Sequence, residues 1–226
     1  MQYSVLPRCL PRTASVERLR SERGREILMN LPSLKRTTDF ALAVLGLPVA
    51  IPVCMAAAVA IRMETEGSPV FVQERVGVDQ EPIKVVKLRT MFRETGDLPS
   101  HEVSTSRVTR VGKFLRKTKI DELPQIWNVL RGEMSFVGPR PCLPTQDEVI
   151  SERAARGVYT VVPGITGPSQ LAGIDMSTPI ELAESDAKYL ENWSTKDDLN
   201  YIVLTALGRG SGDAAGAVSE PVLSGK

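Results

Sequence analysis

"FALAVLGLPVAIPVCMAAAVAI" occupies residues 40–61, and its reading decides the fold. It holds 22 residues and no charge. A straight helix of that length reaches roughly 33 Å at about 1.5 Å per residue, enough to cross the hydrocarbon core of a bilayer. Pro48 and Pro52 lie inside it. Each removes one helical hydrogen bond and crowds the preceding turn. Three arrangements compete: a re-entrant hairpin that breaks at the prolines, a kinked spanning helix, and a buried helix or cleaved signal. Ala58-Val59-Ala60 has the form of a signal cleavage site, but 39 residues precede the apolar run, too many for an ordinary leader. Lys35 and Arg36 stand before the run and Arg62 after it, where lipid headgroups would anchor them. The re-entrant hairpin, with its membrane break at Pro48 and Pro52, is the expectation carried forward. In it the freed carbonyls need other donors.

Outward from this segment the charge is uneven. The 226-residue chain carries 28 Lys and Arg against 27 Asp and Glu, so net charge names no partner. Residues 1–36 nevertheless hold eight basic and three acidic side chains, and residues 84–119 hold ten and three. A segment facing a membrane or an anionic ligand has this composition, and so does a solvated face. Cys9, Cys54 and Cys142 match no zinc site or disulfide framework, which favours a reducing compartment. His101 is the only histidine. That removes an HExxH zinc site and any obvious Ser-His-Asp or Cys-His pair. Chemistry here falls to carboxylates, lysines and arginines.

The stretch "TKIDELPQIWNVLRGEMSFVGPRP" (118–141) supplies them. Asp121 is placed to cap a helix that tolerates Pro124 in its first turn and ends at Gly132. A second reading makes Asp121 and Glu122 a reactive acidic pair. A helix N-terminus attracts anions, Arg116 lies five residues earlier, and Arg140 sits in a rigid Pro-Arg-Pro turn. Arginine and a divalent cation on the carboxylates could hold a phosphate between them. On the residues alone both readings stand, the second as Mg²⁺-assisted phosphate chemistry beside a membrane.

The remaining pattern is α+β. "PVFVQERVGVDQEPIKVVKLRTM" (69–91) reads as a β-hairpin about a polar turn, and "SRVTRVGKFLRKT" as a short basic helix. "VVPGITGPSQLAG" (161–173) reads as a loop. A helix is expected from Thr178-Pro179 to Glu191, and another over 195–207, with Ser194 and Asp197 as a capping box and Gly208 as its end. Residues 1–34 are expected as a basic arm, 35–62 as the membrane helix, 63–207 as the main domain and 208–226 as a disordered tail. No Gly-rich Rossmann turn occurs.

Five stretches carry a resemblance: "KRTTDF", "GSPVFVQERVG", "KLRTM", "IDELPQIWNVLRGEMSFVGPRP" and "PGITG". In this order and spacing, from about Lys35 to Trp193, the chain resembles the bacterial sugar transferase family, the small monotopic phosphoglycosyl transferases. The resemblance implies a helix-rich monotopic membrane protein of the bacterial inner (cytoplasmic) membrane, its catalytic domain on the cytosolic face. It implies transfer of a sugar 1-phosphate from a UDP-sugar to undecaprenyl (polyprenyl) phosphate, with release of UMP and with no nucleic-acid partner. Such a step begins O-antigen, capsule, exopolysaccharide or glycoprotein glycan assembly. Asp121 matches the family's nucleophile, which forms a covalent phosphosugar intermediate. Glu122 matches the second acid, which with Asp121 would hold Mg²⁺ or act on the acceptor. Arg116 and Arg140 match arginines near the phosphates, and Lys87 and Arg89 are further candidates there. Two departures stand out. Ile51, not serine, precedes Pro52, and Ile174 stands where relatives carry an arginine, so that arginine's contacts do not carry over.

Overall fold

The computed structural model describes residues 33–92 and 107–210. The expected basic arm and tail lie almost wholly outside them. α1 (Ser33–Glu64) is 32 residues long, about 48 Å at 1.5 Å per residue, and contains both prolines. It runs through Pro48 and Pro52 without ending, so neither proline divides the segment into two helices. Each ring deprives only one carbonyl of its helical donor, and proline's fixed φ is itself helical. Among the described residues α1 is the one helix long and apolar enough to cross a membrane.

One face of α1 is buried at Asp39, Ala43, Ala50, Ala57 and Ile61, the spacing of a single helical stripe. The three alanines let it lie close against the domain. Ala43 and Ala50 join Val85, Ile126, Val129 and Met134 in one apolar cluster. Ala57 and Ile61 join Leu88 and Leu115 in a second. The opposite face exposes Leu45, Val49, Met55, Val59 and Met63.

Charged residues fasten both ends of α1. Lys35 Nζ lies 2.5 Å from Asp198 Oδ2 and 6.0 Å from the centre of the Trp193 ring. Arg36 donates to the carbonyls of Val129 and Leu130. Asp39 Oδ1 accepts from the Phe136 N–H at 3.1 Å. At the far end Arg62 donates to the Gly67 carbonyl at 2.9 Å, and Glu64 accepts from the backbone N–H groups of Arg110 and Val111 at 2.7 and 2.8 Å. Lys35 is thus engaged by the protein, while Arg36 and Arg62 stay exposed although each donates to a backbone carbonyl. A buried aspartate and the open carbonyls at a helix C-terminus demand cations more strongly than solvent or headgroups do.

β1 (Val70–Val76) and β2 (Pro82–Leu88) form the expected hairpin, antiparallel, with Val70 opposite Leu88 and Val76 opposite Pro82. α2 (Arg110–Thr118) is the basic helix, capped by Thr109, whose Oγ1 accepts from the Gly112 N–H at 2.8 Å. A 3₁₀ helix (Ile120–Gln125) leads into α3 (Ile126–Arg131), which Gly132 ends at φ +81°. β3 (Ser135–Val137) pairs in parallel with β4 (Gly164–Thr166), so a strand lies inside the segment read as a loop. α4 (Asp147–Ala155) and the short α5 (Pro168–Leu171) were not anticipated; α6 (Pro179–Glu191) and α7 (Thr195–Ala206) were, with Ser194 Oγ accepting from the Asp197 N–H at 3.1 Å. The fold is α+β, helix-rich, with two small sheets.

Candidate active site

The site begins where α2 stops. Lys119 takes a left-handed backbone, φ 59°, and its N–H returns to the Arg116 carbonyl at 3.2 Å. The chain then turns directly into the 3₁₀ helix. The N-cap position is therefore Lys119, and Asp121 lies inside the first turn, which corrects the capping expectation. A tight 3₁₀ turn sets Asp121 and Glu122 next to one another with little exposure, 5% and 7%.

Glu122 is the meeting point. Its Oε1 accepts from Arg140 Nη2 at 2.6 Å and from Lys87 Nζ at 3.2 Å. Three sequence candidates from three elements are brought together here: the 3₁₀ helix, the loop after β3, and β2. Two cations converging on one nearly buried carboxylate make a dense charge cluster, stable only because every partner is held. Arg116 lies one turn before the pair and donates from Nε to Thr90 Oγ1 at 2.9 Å. Arg89 donates to the Glu66 carbonyl at 2.6 Å and to Thr65, bracing the turn that follows α1. Pro48 and Pro52 belong to α1.

Arg140 is aimed by backbone contacts on several sides. Gly138 N–H donates to the Thr166 carbonyl and Gly164 N–H to the Pro139 carbonyl, each at 2.9 Å. The approach is so close that a Cβ on Gly164 would lie 2.1 Å from the Gly138 nitrogen. Arg153 donates to the Arg140 carbonyl at 2.7 Å, and Arg75 to the Pro141 carbonyl at 3.2 Å. Arg153 is 1% exposed and pairs with the equally buried Asp186, at 2.6 Å from Nη2 and 2.9 Å from Nε. Arg75, Arg153 and Asp186 were not singled out in the sequence, although Arg75 lies in the stretch "GSPVFVQERVG"; nothing in spacing marks the contacts they make. Behind Arg153, Tyr159 OH meets Cys142 Sγ at 3.3 Å, and burial pushes the Tyr159 hydroxyl well above its usual range. It is a neutral partner, not a base.

Among the described residues no three His, Cys, Asp or Glu side chains converge as a metal cage. Asp121 and Glu122 are two adjacent oxygen donors, which suits a cation that also takes ligands from a phosphate and from water.

A family model described as bacterial sugar transferase matches residues 31–209. The chain is 41% identical over 182 residues to a UDP-glucose:undecaprenyl-phosphate glucose-1-phosphate transferase of Caulobacter vibrioides, covering 76% of this chain and 67% of that one. It is 38% identical over 181 residues to the Escherichia coli K12 protein of the same description, covering 76% and 39%. A putative undecaprenyl-phosphate N-acetylgalactosaminyl 1-phosphate transferase of Bacillus subtilis is 40% identical over 139 residues, covering 61% and 78%. The chain belongs to the bacterial sugar transferase family. It spans about two thirds of the Caulobacter relative and about two fifths of the Escherichia coli one.

Proposed function

We propose that this protein is a membrane-bound sugar-1-phosphate transferase acting from a UDP-sugar onto undecaprenyl phosphate. The observation that carries the reading is the convergence of Arg140 and Lys87 on Glu122, beside the nearly buried Asp121. Relatives whose names state this reaction support it.

An Asp121 carboxylate oxygen attacks the β-phosphorus of the UDP-sugar. The bond from that phosphorus to the bridging oxygen breaks, and UMP leaves. The sugar phosphate stays on Asp121 as an acyl phosphate. A phosphate oxygen of undecaprenyl phosphate then attacks the same phosphorus, the bond to Asp121 breaks, and undecaprenyl-diphosphate sugar forms. Glu122 orients Lys87 and Arg140 toward the transferring group. Mg²⁺ held by Asp121 and Glu122 would neutralise diphosphate charge when bound.

Membrane attachment is monotopic in this reading, on the cytosolic face of the inner membrane, where a nucleotide sugar and a lipid phosphate can meet. The support is that Lys35, Arg36 and Asp39 at one end of α1, and Glu64 at the other, hold the same domain. A helix standing across the bilayer could bring only one end to that domain.

The test is nucleotide release from the purified chain with undecaprenyl phosphate, Mg²⁺ and a panel of UDP-sugars. UMP is expected from one donor, and Asp121→Asn is expected to lower the rate at least about 10³-fold. Formation of UDP instead would replace the mechanism with simple glycosyl transfer.

A further inference from the structure

We propose that Gln170 recognises the donor: its side-chain oxygen accepts a hydrogen bond from a hydroxyl or N–H of the nucleotide sugar, next to the diphosphate. This rests on the transfer reaction proposed above and adds a residue that selects its substrate. Gln170 lies on α5, and its amide is held at one end. Nε2 donates to the Ile165 carbonyl at 3.1 Å. Arg140 Nη1 donates to the same carbonyl at 3.4 Å, while its Nη2 holds Glu122 at 2.6 Å. Gln170 and Arg140 thus stand side by side on one oxygen. With Nε2 committed, Oε1 is a fixed acceptor. It is buried and meets no donor among the described residues. A buried acceptor without a donor is costly, and such groups are few in folded proteins.

Its surroundings close into a ring with the acidic pair. The Glu122 N–H donates to the Lys119 carbonyl at 3.2 Å. Lys119 Nζ donates to the Gly210 carbonyl at 3.5 Å. Gly210 packs on α5, where a Cβ on it would lie 3.2 Å from the Gln170 backbone oxygen. From Gln170 the contacts return through Ile165 to Arg140 and Glu122. Gln170, Arg140 and the acidic pair therefore border one site, although they come from separate elements. A diphosphate seated on Arg140 brings its substituents to Gln170: the sugar on one phosphorus, the ribose on the other. A neutral amide oxygen accepts from a hydroxyl or N–H and offers nothing to a phosphate oxygen, so it acts on the substituent and leaves the diphosphate to the cations. The longest contact of the ring, Lys119 to Gly210, is its weakest, and the ring opens there to admit the ligand.

The experiment measures kcat/KM for UMP release by the full chain in detergent micelles. It uses the best donor of the UDP-sugar panel and analogues of it that each lack one hydroxyl or N–H, on the sugar, the ribose or the uracil. The wild type is expected to lose at least about 10²-fold with one analogue, because a site left with an unpaired buried polar group rejects the ligand that lacks its partner. In Gln170→Ala that loss is expected to shrink below about tenfold, with the losses at other positions kept. Each loss is a ratio within one protein, so the fraction of folded chain cancels. Gln170→Met, similar in length and without an amide, repeats the measurement where the Ala variant does not fold. The analogue at which the loss shrinks tells a sugar contact from a nucleoside contact. An equal fall with every ligand, the ratios unchanged, overturns the proposal, because Gln170 then only braces Ile165. So does a wild type that loses less than about tenfold with every analogue. Absence of UMP from any donor is a different result: it removes the transfer reaction itself, and this proposal with it.

Discussion

Arg140 shows how much a single side chain depends on its surroundings. Its guanidinium reaches Glu122 at 2.6 Å only because its backbone is pinned by β4, Arg153 and Arg75. Arg140→Ala is expected to cut kcat/KM for UMP release by about 10²–10³-fold. Arg140→Lys is expected to restore little, since an ammonium lacks the planar fork that spans two oxygens. A Lys variant near wild-type rate would show that point charge suffices. Asp186→Asn tests the support behind it. Removing that charge leaves Arg153 buried without its counter-ion, a loss of about 3–5 kcal/mol readable in a thermal melt. An unshifted melting temperature would mean that the pair does not hold the loop. At Gly164 even one methyl group is excluded, and Gly164→Ala is expected to prevent a stable fold.

At the scale of the element, α1 behaves as part of the domain. Its charged residues each hold a different piece of the site: Arg36 the end of α3, Asp39 the strand before Arg140, and Glu64 the start of α2. Both ends are therefore expected on one side of the membrane. Cysteines placed at positions 30 and 70 should label from the same face of sealed cells, and labelling from opposite faces would require a spanning helix. Much of this element was legible. The length and apolarity of residues 40–61 announced the helix, and Gly132, Thr178-Pro179 and Ser194 marked real ends, because turns and caps are decided by the few residues at them. The helix runs on through Pro48 and Pro52. A helix packed along a domain can lose one bond at each without ending. β4 was invisible because three residues carry no periodicity, and its partner is 29 positions away at Ser135.

For the whole molecule the consequence is that no soluble catalytic fragment should be obtainable by removing α1. A chain starting at residue 65 would uncover Val85, Ile126, Val129 and Met134 in one cluster, and Leu88 and Leu115 in the other. It is expected to aggregate and to release no UMP; a soluble, active fragment would show that α1 only tethers. The sequence by itself determined the family, the α+β class, the apolar segment and the acidic pair with its arginine. Those rest on residue type at short spacing, and short spacing survives in any fold. Only the tertiary structure decided that Lys87 meets Glu122, that Arg89 braces a turn, that Lys119 and not Asp121 takes the cap position, and that Lys35 is engaged by Asp198. Each of those outcomes is a competition between partners far apart in the chain. A charged side chain goes to the most desolvated acceptor within reach, and reach is set by packing.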